Sequence, residues 1–130
     1  MNKAVVVATN IIVAALLSPE GAAFEFMSRV LDGEYTVLVS EEIFQEYGDV
    51  LRRDKFGLSE DIINYILNWF IENAIWVEPR QSHEPMPDEK DRIFYDLARG
   101  CKARLITGNF KHYPVDECVT ALWELKSKML

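Results

Sequence analysis

Four positions of this 130-residue chain sit where an α/β sheet presents its chemistry. They are Ala8 at the end of the run "AVVVA", Glu46 in "EEIFQEYGDVLRR", Asp91 in "DEKDRIFYDLARG" and Asn109 in "TGN". Carboxylates that converge from separate elements suit metal-assisted hydrolysis, because Mg²⁺ or Mn²⁺ takes oxygen ligands and uses them to hold and activate water. Glu46 and Asp91 are such carboxylates. The amide oxygen of Asn109 can accept a water hydrogen bond or coordinate a hard cation, whereas Ala8 has no donor.

Helical phase selects these two acids from the 21 in the chain. At about 100° per residue, the apolar stripe of Phe44, Tyr47 and Val50 is centred near Tyr47. Glu46 lies at its margin, and Glu42 and Asp49 point further out. Asp91 flanks the stripe of Ile93, Phe94, Leu97 and Ala98, with Asp96 further away, and the first helical turn favours an ionised carboxylate.

Each signal also has a plain structural reading. A glutamate at a helix margin is commonly a solvated residue. Asp88 reads best as a helix cap in "DEKD", and Gly-Asn is ordinary turn chemistry. His83 and His112 read as lone surface histidines, and Arg52, Arg53 and Lys55 as a solvated helix end whose alternative is phosphate contact.

The elements that must position these residues follow from periodicity. "AVVVAT" is a near-continuous β-branched run, the pattern of a strand buried on both faces of a parallel sheet. A helix over "NIIVAALLS" stops at Ser18-Pro19. A second helix places Phe24, Met27, Val30 and Leu31 on one stripe and ends at Gly33. "YTVLVS" is the next strand. Ser40 and Ser59 cap the helices "EEIFQEYGDVLRR" and "SEDIINYILNWFIENA". Then come a short strand "IWVEP", a proline-bearing loop "RQSHEPMP", a helix between Asp88 and Gly100, and the strand "ARLIT". A turn "GNFKHYP", a short strand near Cys118-Val119 and a last helix "TALWELKSK" complete the chain. Strands separated by helices in this order give an α/β fold, a mainly parallel sheet with helices on both faces.

Length and composition predict one globular domain over residues 1–130. The apolar stretches are too short for a membrane span and no charged leader precedes the first strand, so a cytoplasmic location is expected. Cys101 and Cys118 lack CxxC or Cys/His spacing and read as reduced packing residues. Net charge −7 argues against counterion-driven adhesion to nucleic acid. It does not exclude a nuclease, because bound cations invert the local sign of an acidic centre. Dinucleotide, P-loop, serine-hydrolase and zincin motifs are absent from the sequence. A receiver-type phosphoacceptor needs an Asp after a central strand, which "VLVS" and "IWVE" do not supply.

Taken in order, "VVVATNIIVAALL", "SEEIFQEYGDVLRRDKF", "DEKDRIFYDLARG" and "ARLITGNFKHYP" resemble the PIN-domain family, in the branch of VapBC-like toxins. The resemblance implies a three-layer α/β/α sandwich and metal-dependent hydrolysis of RNA by Mg²⁺ or Mn²⁺. In that family the first block ends in Asp-Thr-Asn, the second supplies a helix Glu, the third an Asp, and the fourth an acid after Thr-Gly. Carried over, Glu46 and Asp91 match metal ligands, and Asn10 and Thr107 match supporting polar positions, beside which Asp88 is a further supporting residue. Asn109 stands where Asp is usual, and Ala8 where the leading Asp is usual.

Ala8 thus marks the seat of the first metal-binding carboxylate, vacated, and activity is expected to be weak or lost and metal binding weak or absent. Two histories give such a chain: a deliberate disarming substitution, or descent from a nuclease that lost its activity. The alternative reading is a non-catalytic RNA- or protein-binding domain. As a toxin, the chain would take a basic tail of its cognate antitoxin into its acidic groove. The surplus of apolar residues at Ile62, Ile63, Ile66, Leu67, Trp69 and Phe70 points to burial within the fold or to a homodimer.

Overall fold

A computed structural model describes residues 3–125. Five strands form one sheet: β1 (Ala4–Val7), β2 (Thr36–Val39), β3 (Ile75–Trp76), β4 (Arg104–Thr107) and β5 (Val119–Ala121). Their order across the sheet is β3-β2-β1-β4-β5, and every neighbouring pair is parallel. Five α-helices make the connections: α1 (Thr9–Leu17), α2 (Ala22–Leu31), α3 (Glu41–Leu51), α4 (Glu60–Asn73) and α5 (Arg92–Gly100). The architecture is the α/β/α type that the alternation of strands and helices predicts.

The central strand explains the β-branched run. Val5, Val6 and Val7 are fully buried, because β1 has a strand on each side and helices over its faces. Fully burying a side chain of this kind contributes about 1.5–3 kcal/mol. Ser40 and Ser59 accept hydrogen bonds from the amides of Ile43 and Ile62, each at 3.2 Å, so both predicted caps close their helices. Gly33 ends α2 with φ at 85°, a conformation that carries no Cβ penalty only for glycine.

Strand order fixes where the chemistry can sit. From β1 the chain steps outward to β2 and β3, then crosses back over β1 to β4 and β5. The direction therefore reverses between β1 and β4, and the crevice beyond their carboxyl ends is the binding position of an open α/β sheet. Residues 8–10 and 107–109 flank that crevice.

The structure departs from the periodicity in four places. On α2 the buried stripe is Ala23, Phe26, Met27 and Val30, while Phe24 is exposed. Two phenylalanines two residues apart cannot share a helix face, and Phe26 wins the core by meeting Tyr35, with ring centroids 5.1 Å apart. Asp91 ends a 3₁₀ turn (Glu89–Asp91), and the α-helix begins at Arg92. Asp96, expected to lie further from the core, is buried: it accepts hydrogen bonds from the Ser82 amide at 2.9 Å and hydroxyl at 2.5 Å. Finally, Thr120 and Ala121 belong to β5, only a 3₁₀ turn (Leu122–Glu124) follows, and the rest of the expected last helix lies outside the described residues.

Asp96 is buried because the proline-bearing loop folds back over α5. Arg92 holds both oxygens of Glu89 at 2.7 Å and donates to the carbonyls of Ser82 and Glu84. Tyr95 donates to Asp116 at 2.9 Å, and Arg99 pairs with Glu84, which joins the loop before α5 to the loop after β4. On α4, Ile63, Ile66, Leu67 and Phe70 are buried, and Ile62 and Trp69 pack against the same core. Much of that helix's apolar surplus is used inside the fold.

Candidate functional site

β1 ends at the crevice, and α1 starts there. Ala8 is the N-cap of α1, with φ −66° and ψ 147° and no side-chain cap. Its amide donates to Ile106 O at 2.9 Å, its carbonyl accepts from Ile11, and it is 2% exposed. Thr9 donates its hydroxyl to Glu46 Oε2 at 2.9 Å. On the same helix turn, Tyr47 is fully buried and donates to Val7 O. Adjacent residues of α3 thus grip the chain on either side of Ala8.

β4 supplies the second edge. Asn10 reaches across with Nδ2 3.4 Å from Thr107 Oγ1, and its Oδ1 accepts from the Gly108 amide at 2.9 Å. Thr107 Oγ1 also accepts the Asn109 amide at 3.0 Å, while Asn109 itself is exposed. The positions named as supporting, Asn10 and Thr107, are therefore joined side chain to side chain across the β1–β4 junction. A Cβ on Gly108 would lie 3.2 Å from Asn10 Oδ1, so the tightness of this turn favours the glycine.

Asp91 comes from the 3₁₀ turn that Asp88 caps by accepting the Lys90 amide at 3.0 Å. Asp91 Oδ2 is a buried oxygen without an aligned hydrogen-bond donor among the described residues, and His112 Nδ1 stands 3.4 Å from it. His112 is a surface histidine, as expected, and its exposed ring borders Asp91. Tyr113, the next residue, is buried, and both Asp91 and Glu46 act on its phenol.

Electrostatics tie the two carboxylates together. Burial raises the pKa of Glu46, and the charge of Asp91 adds to that rise against the Thr9 hydroxyl and Arg53. Burial also raises Asp91, helped by Asp88 and opposed by His112 and Tyr113. Burial, then Asp91 and Glu46, push the Tyr113 phenol far above the tyrosine range, so it is a neutral donor. Such an arrangement of under-compensated carboxylates attracts cationic groups and holds protons more tightly than surface acids do.

Among the described residues no three His, Cys, Asp or Glu side chains converge closely enough to hold a metal ion. Ala8, whose neighbours Val7 and Thr9 are bound by Tyr47 and Glu46, offers no side-chain oxygen. Thr9, Tyr47 and Tyr113 are site residues that the sequence reading missed. The polar residue ending "AVVVAT" was a usable signal for Thr9, but nothing local marks Tyr113.

Residues 4–111 match the PIN domain. An uncharacterized protein of Methanocaldococcus jannaschii is 27% identical over 108 residues, which cover 81% of this chain and 70% of that protein. No single helix among the described residues is long and apolar enough to cross a membrane.

Proposed function

Because this chain belongs to the PIN-domain family, whose members are generally nuclease-like, we propose that it derives from a metal-dependent endoribonuclease of the toxin type. As the sequence stands, its hydrolytic centre is disarmed at Ala8 and its remaining chemistry is RNA binding. One observation carries this reading: Ala8 is the N-cap of α1 at the crest, the carboxyl ends of β1 and β4, where the residues that follow it, Thr9 and Asn10, bond to Glu46 and to the β4 turn. A carboxylate there would join Glu46 and Asp91, and three such oxygens suit Mg²⁺ or Mn²⁺.

Ala8→Asp therefore creates divalent-metal-dependent RNase activity that the unaltered chain lacks or nearly lacks. The effect expected is orders of magnitude, since the loss of one catalytic ligand commonly costs that much. Both forms are compared on mixed structured RNAs with Mg²⁺, Mn²⁺ or EDTA. Activity that appears only with Ala8→Asp and metal, and disappears on adding Asp91→Asn, supports the reading. A folded Ala8→Asp protein inert on all RNAs favours the non-catalytic binding domain, and cleavage by the purified unaltered chain removes the role given to residue 8.

A further inference from the structure

Among the described residues, most cations of this acidic protein are engaged by its own groups. Arg29, Arg52, Arg92 and Arg99 form ion pairs with carboxylates. Lys3 and Lys55 lie over aromatic rings, and Arg104 donates to Thr120. Among the described residues, Arg53, Arg80, Lys90 and Lys111 have no carboxylate within ion-pair distance. All four are exposed.

Their positions are not scattered. Lys90 immediately precedes Asp91 in its 3₁₀ turn. Lys111 precedes His112, the residue against Asp91, and the exposed ring of Phe110 precedes Lys111 in the same turn. Arg53 lies just past the end of α3, seven residues beyond Glu46, and its charge acts on that carboxylate. Arg80 lines a groove with Glu42, Glu89 and Arg92 on the loop that runs from β3 to α5.

We propose that Arg53, Arg80, Lys90 and Lys111 form a phosphate track around the crest, which holds the backbone of single-stranded RNA while Phe110 stacks on a base. The proposal rests on the RNA reading above and deepens it by naming the residues that position the strand. The net charge of −7 works against adhesion over the rest of the surface, so the counterion-releasing contacts are confined to these unpaired cations, and an exposed ring beside one of them is the usual companion in single-strand binding. The central carboxylates repel phosphate, so the strand is held at the rim, with its contacts spread over several cations.

The test measures fluorescence anisotropy of a labelled single-stranded 20-nucleotide RNA against salt, using the full chain. Arg53→Gln/Lys111→Gln is compared with Lys3→Gln/Arg29→Gln, an equal charge change at the opposite end of the sheet. The crest variant is expected to bind about tenfold more weakly, with a salt slope smaller by about 1.4, because each single-strand phosphate contact contributes about 0.7. The control is expected to stay within about twofold of the unaltered chain. Phe110→Ala should weaken binding with the salt slope unchanged. Equal weakening in both charge variants overturns the track, as does equal affinity for a duplex RNA of the same length. If the unaltered chain binds no RNA at low salt, the track and the RNA reading fall together. If Ala8→Asp cleaves RNA with a KM that the crest variant leaves unmoved, the track alone falls.

Discussion

Glu46 and Asp91 at the crest, and Asp96, Glu89 and Asp116 around α5, are the same residue types under opposite conditions. Around α5 every carboxylate has answering donors. Ser82 gives Asp96 two hydrogen bonds, Arg92 lowers the Glu89 pKa by a paired contact, and the Cys118 amide and the Tyr95 hydroxyl lower Asp116. At the crest burial outruns the donors, so both pKa values rise. Acids that serve the fold are satisfied by it, and acids left wanting a cation stand where the sheet's strand order reverses.

The comparison can be broken at its satisfied side first. Asp96→Ala strands the Ser82 amide and hydroxyl and frees the loop from α5, for an expected loss of about 3 kcal/mol in urea-induced unfolding. A loss within about 0.5 kcal/mol would mean that the loop is not held by this carboxylate.

A smaller effect tests the vacancy at residue 8. Ala8→Asn gives α1 the side-chain cap that it lacks without adding charge, and should stabilise by about 1 kcal/mol. Ala8→Asp should gain less at pH 7 in EDTA, because its charge adds to those of Glu46 and Asp91. If the two variants are equal, residue 8 does not feel the carboxylate pair.

The smallest effect has the clearest sign. The folded pKa of Glu46 is raised, so its contribution to stability is complete below the ordinary glutamate value and is lost as pH rises through the folded value. Glu46→Gln should therefore raise Tm slightly at pH 7, with the gain fading on acidification. The folded pKa of Asp116 is lowered, so its contribution is complete above the ordinary aspartate value and is lost as pH falls through the folded value. Asp116→Asn should lower Tm at pH 7 and converge with the unaltered chain in acid. Thermal melts from pH 3 to 8 show opposite trends, and parallel trends would erase the distinction between the two sets.

The element order was readable because periodicity changes wherever a strand gives way to a helix, and because Ser40 and Ser59 announce their caps. The half-buried place of Glu46 was readable from phase, since a helix margin is a local property. Asp96 was misread for the same reason: phase reports the helix's own stripe and is silent about a loop that returns to cover its other side. The Asn10–Thr107 contact joins residues 97 apart, and no pattern within a window of one element encodes it. Tyr113 follows a turn whose composition is ordinary, and its burial comes from the neighbours that the fold brings to it.

β1 comes first among the five strands in sequence and lies at the middle of the sheet. β1 can pair with β2 early, through Val5↔Val37, but its other edge waits for Leu105 to meet Val6. Loop closure over such a span is entropically slow, and the apolar edge of β1 stays open while it proceeds. During translation the crest can close only once residue 108 has emerged, because the Asn10–Gly108 bond spans 98 residues. A growing chain of this topology therefore presents an unsealed valine edge to the ribosome exit and to chaperones until β4 emerges.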